Sequence, residues 1–71
     1  MPDDMHGFKF MGENISDYVF AAFLMKHKAL HNHTRTGNAN TWRDPDGQSV
    51  AVVIYDNANM TTRHFYRADL T

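Results

Sequence analysis

The sequence predicts an α+β domain in which one N-terminal helix packs on a three-stranded antiparallel β-meander. Three observations predict it. Residues 49–55 form an apolar run, Ser-Val-Ala-Val-Val-Ile-Tyr, between the turn-rich clusters Asp44-Pro45-Asp46-Gly47 and Asp56-Asn57-Ala58-Asn59, as a central strand would. Residues 18–30 contain neither Gly nor Pro and follow a capping sequence, as a helix would. Residues 60–67 are rich in Thr and aromatic side chains, which suits a further strand after the second cluster.

Taken in order, Phe8 and Phe10 flank Lys9 at the spacing of a short extra edge strand or an extended arm, so residues 1–12 are assigned that role. Gly12 breaks the pattern. Asn14, with Asp17 at the third helical position, predicts a helix start at Ile15. Lys26, His27, Lys28 and His31 suit the negative end of a helix closing near residue 31, before Asn32. At 100° per residue, Ile15, Tyr18, Val19, Ala22, Phe23, Met25, Ala29 and Leu30 gather on one broad side, the expected core face. Phe20 and Leu24 fall on the other side, in line with His27 and His31, where a solvated face would carry charge. These four residues are therefore expected to form an interface.

Residues 33–40 read as a connecting loop in which Thr34-Arg35-Thr36 makes at most a short strand, and residues 40–43 read as strand. Pro45 supplies a fixed φ and Gly47 a positive one, which predicts a hairpin turn. With that register, Trp42, Ala51, Val53, Tyr55, Thr62, His64 and Tyr66 share one sheet face. Thr41, Arg43, Val50, Val52, Ile54, Arg63, Phe65 and Arg67 share the other, and a slip of one residue would exchange the two sets. One helix covers one face. The sheet is therefore expected to leave a binding surface drawn from Trp42, Arg43, Tyr55, Arg63, His64, Tyr66 and Arg67.

Composition narrows the function. A chain of 71 residues makes one domain, and 42% hydrophobic with 13% aromatic content places it among folded proteins. With no cysteine there are no disulfides or thiolate metal sites, which leaves oligomerisation as the expected staple for so small a core. The acidic opening Met1-Pro2-Asp3-Asp4 and the lack of an apolar run near ~20 residues predict neither signal peptide nor membrane span, so a cytoplasmic location is expected. A net charge of -1 argues against broad attraction to nucleic acid or anionic lipid.

His27, His31 and His33 have a spacing that can chelate a divalent ion, but no Cys accompanies them and no Glu lies in the interval. No metal site, cofactor motif or catalytic set is assigned, and the protein is not expected to be an enzyme. The expected function is a non-catalytic protein-interaction domain, homodimeric, of the accessory or inhibitory kind carried by phages and mobile elements, with a host protein as further partner. One alternative is binding of single-stranded nucleic acid, RNA above all, through the Arg and aromatic side chains of the sheet. Another is a small metal-independent ribonuclease-like activity built on His64, Arg63, Arg67 and Tyr66.

Overall fold

A computed structural model of the protein describes residues 5–70. The acidic opening at residues 1–4 lies outside the described residues. Five strands and one helix follow in the order β1 (Phe8–Glu13), α1 (Asp17–Lys26), β2 (His33–Thr36), β3 (Ala39–Arg43), β4 (Ser49–Asp56) and β5 (Thr61–Arg67). The strands form one antiparallel sheet in the order β1-β5-β4-β3-β2. This corrects the expected helix on a three-stranded meander: the sheet has five strands, the molecule is mostly β, and the helix is short. Because β1 and β2 occupy opposite edges, the chain crosses the sheet between them, and α1 is the crossing segment.

The strands that widen the sheet have local causes. Gly37-Asn38 is a two-residue hairpin loop between the paired residues Thr36 and Ala39, with φ +60° at Gly37, so the segment after the helix becomes β2. β1 is secured to β5 from Phe8↔Arg67 to Glu13↔Arg63, with a bulge between Phe10 and Gly12. Asn14 does not cap the helix. Its φ is +51°, its amide donates to the Thr62 carbonyl at 2.8 Å, and its Oδ1 accepts from the Thr62 amide at 3.0 Å, prolonging the β1–β5 ladder.

Ser16 is the N-cap instead, accepting from the Val19 amide at 3.2 Å. The helix ends five residues earlier than the sequence predicts, at Lys26, in a Schellman turn. The Ala29 amide donates to Leu24 O at 2.8 Å, the Lys28 amide donates to Met25 O at 3.1 Å, and Lys28 takes φ +59°. Leu24 and Ala29 meet in the core, the apolar contact that accompanies this motif.

That early stop reverses the helix. Ala29 is in helical phase with Tyr18, Ala22 and Met25, so a helix extended to residue 31 would carry an apolar stripe along that side. With the helix stopped at Lys26, Ala29 folds back beneath Leu24, and the side that enters the core is that of Phe20 and Leu24, which are 7% and 2% exposed. Tyr18, Val19 and Met25 face outward at 90%, 60% and 63% exposure. The expected interface role of Phe20 and Leu24 is therefore corrected: both are core residues. Ile15, Phe23 and Leu30 do pack against the core.

The helix rests on the face that carries Trp42, Ala51, Val53, His64 and Tyr66. Phe20 meets Trp42 edge-on at 5.1 Å and His64 at 4.8 Å, and Phe23 meets Tyr66 at 6.0 Å. A bulge between Trp42 and Arg43 leaves Val50 without a direct partner and turns it into the same cluster as Phe20, Leu24 and Ala51. On the opposite face Phe65 is fully buried, with Phe10 against it edge-on at 5.5 Å and the Arg63 guanidinium 4.7 Å above the Phe10 ring. Both sides of β4 are thus buried within one subunit from Val50 to Val53, and the apolar sheet face expected to remain uncovered is closed by the chain's own side chains.

Candidate functional site

The residues assigned to a single sheet surface do not share one. Trp42, Tyr55, His64 and Tyr66 lie on the helix side, whereas Arg43, Arg63 and Arg67 lie on the other. The three arginines are engaged within the chain. Arg63 pairs with Glu13, Arg67 Nε donates to Asp69 Oδ1 at 2.6 Å, and Arg43 Nη1 donates to Ser49 Oγ at 3.1 Å. A depression of about 470 Å³ lies between Ile54, Phe65, Arg63 and the rim residues Asn38 and Asp56. Its acid is occupied by its own turn: Asp56 accepts from the Asn59 side chain at 2.8 Å and from the Ala58 amide at 3.0 Å, and these bonds, that of Asn59 foremost, lower its pKa.

His64, the base required by a ribonuclease-like reading, is 5% exposed and sits edge-on beneath Phe20. Desolvation lowers its pKa, while the carbonyls of Thr62 and Gly12 and the charge of Asp17 act in the opposite direction. Its Nδ1 is buried without a hydrogen-bond partner. A neutral imidazole enclosed in this way has no route to a substrate.

The three histidines near the helix end are separated by the reversal. His27 packs on Phe23 with ring centroids 4.6 Å apart, His31 is exposed beside a groove, and His33 stacks on Trp42 at 4.5 Å with Nε2 2.9 Å from Asn40 Oδ1. Among the described residues no three His, Cys, Asp or Glu side chains gather closely enough to share an ion. No helix among them is long and apolar enough to cross a membrane.

The surface that lacks an internal explanation is the outer side of α1. Tyr18, Ala22 and Met25 stand at i, i+4 and i+7, within roughly 60° of one another and opposite Phe20 and Leu24. Val19 and Lys26 flank them on one side, with Asp17 on the other. Met25 also forms one wall of a groove of about 440 Å³, whose remaining lining is Lys28, Leu30, His31, Asn32 and Pro45. Stripe and groove are therefore continuous, mostly apolar, and edged by Asp17, Lys26, Lys28 and His31. In the sequence this surface is visible only as the stripe 18-22-25-29, which reads as core for as long as Ala29 is counted as helical.

No protein-family model, no curated protein and no solved structure matches this chain.

Proposed function

We propose that the protein is a small non-catalytic protein-interaction domain whose docking surface is the outer side of α1 together with the groove that begins at Met25. One observation carries this reading: a ten-residue helix is apolar on both sides, and only one side is covered. A helix apolar all round is characteristic of a buried element. Each large side chain moved from solvent into an interface contributes about 1.5–3 kcal/mol, and Tyr18, Val19 and Met25 are all available for that. The exposed aromatic Tyr18 at the head of this stripe suits a binding anchor.

The test is a photo-crosslinking residue placed at Ala22 in the protein produced in its native cell, with the same residue at Thr34 of β2 as control. The expected result is a discrete protein adduct from position 22, absent from position 34, and lost when Tyr18→Ser and Met25→Ser are introduced together. Equal labelling from both positions, or none from position 22, would refute the reading.

A further inference from the structure

The same surface contains both halves of a reciprocal joint, and we infer that its occupant is a second copy of this chain, bound through antiparallel α1 helices with Tyr18 of each copy seated in the groove of the other. The inference rests on the docking role proposed for α1 and goes further by naming the partner. Tyr18 is the most exposed large hydrophobic side chain among the described residues, at 90%. The groove of about 440 Å³ has walls from Met25, Leu30 and Pro45 that suit a phenol ring, with Asn32 and His31 placed to meet its hydroxyl.

Spacing and symmetry agree. Tyr18 and Met25 stand seven residues apart, roughly 10 Å along the axis, with Ala21 and Ala22 midway. A two-fold axis at the alanines places Tyr18 of one copy over Met25 of the other, where the groove opens. The small side chains at the crossing allow the axes to approach to about 8 Å. Such an isologous contact repeats each interaction twice.

Charge selects the orientation. A two-fold axis across antiparallel helices sets the start of each helix, which carries Asp17, against the end of the other, where Lys28 and His31 line the groove. Asp17 of each copy then faces Lys28 and His31 of the other. A parallel pairing would instead gather Lys26, Lys28 and His31 of both copies at one end. The opposed helix axes add a favourable dipole arrangement.

The test is sedimentation equilibrium of the purified full chain from about 5 to 500 µM, with melting curves to establish that each variant is folded. The wild type is expected to reach twice the 8.2 kDa monomer mass. Tyr18→Ser should weaken the dimer at least about 30-fold, and Asp17→Lys or Lys28→Asp about 5–10-fold each. An equimolar mixture of Asp17→Lys and Lys28→Asp chains should recover affinity as a heterodimer, because both cross-contacts become attractive. If Asp17→Lys does not fold, Asp17→Asn serves, with a smaller loss. A chain that stays monomeric at 500 µM overturns the second-copy inference, as does a dimer indifferent to Tyr18→Ser or a mixture that fails to recover. A monomer that still gives a heterologous adduct from position 22 leaves the docking role standing, whereas a monomer with no adduct removes both.

Discussion

Replacing Leu24 by alanine should remove about 3 kcal/mol of stability, whereas replacing its neighbour Met25 should cost less than about 0.5 kcal/mol. The magnitude follows from the surroundings. Leu24 is 2% exposed and packs among Phe20, Ala29 and Val50. Ala29 is too short to swing into the vacated space, and the Schellman turn that links it to Leu24 holds the backbone in place. The loss should therefore include a cavity as well as the transfer of the deleted methyl groups, within the 2–5 kcal/mol found for buried leucines.

A chain of this length is stable by about 4–11 kcal/mol at typical values per residue, so this one change consumes much of the reserve. At 4–8 °C per kcal/mol for a domain this small, the melting temperature should fall by about 12–24 °C. Thermal and urea unfolding followed by circular dichroism at low micromolar concentration, where association contributes least, measures both variants. If Leu24→Ala melts within about 2 °C of wild type, or Met25→Ala is equally damaging, the orientation assigned to α1 is wrong.

Three further outcomes follow from other positions. His64 has a folded-state pKa below its unfolded value, so the unfolded chain binds the extra proton: stability should be fully present above about pH 6.5 and decline as pH falls through that value towards the lowered one. His64→Phe should flatten this dependence in urea titrations between pH 7 and 5, and an unchanged slope would show that another group is responsible. Lys28→Gly relieves a left-handed conformation at φ +59° and should stabilise by about 0.5–1 kcal/mol, read as a higher melting temperature; a lower one would contradict the cost assigned to Lys28. Gly12→Ala places a Cβ 3.3 Å from two atoms of Ile15 at φ +156° and should cost about 1–3 kcal/mol in the same assay, whereas a neutral result would mean that the β1 bulge relaxes freely.

The parts of this fold legible in the sequence are those with strong local chemistry. The Asp44-Pro45-Asp46-Gly47 turn forms as its residues require, with the Gly47 amide donating to Asp44 O at 2.9 Å and the Asp44 side chain accepting from the Asp46 and Gln48 amides. The pairing that follows places Trp42 opposite Ala51 and Val53 opposite His64. The strand β2 had a readable signal in Gly37-Asn38, a dipeptide suited to a two-residue hairpin.

The direction of the helix was not legible. Apolar residues surround α1, so periodicity defines no preferred side, and the residue that ends it is a lysine in a conformation normally given to glycine. One miscounted turn added Ala29 to the wrong stripe and exchanged core for surface. The candidate site inherited that exchange: the surplus apolar area expected at Phe20 and Leu24 is found on the opposite side of the same helix, at Tyr18, Val19 and Met25. What covers the sheet's other face was equally hidden, because it depends on Phe10 and Arg63 meeting across strands far apart in the chain.

The pairing of first strand with last has a consequence for how the molecule can be made. β1 lies alongside β5, and the Ala68 amide donates to Gly7 O at 2.8 Å, so the two extremities of the fold are neighbours. Every other strand of the fold must have left the ribosome before that ladder can close, which favours a late, cooperative transition over stepwise assembly. The same adjacency makes circular permutation feasible: a short bridge between the extremities and a new opening at Gly37-Asn38 would preserve every strand neighbour while making β3 the entry point and β2 the exit.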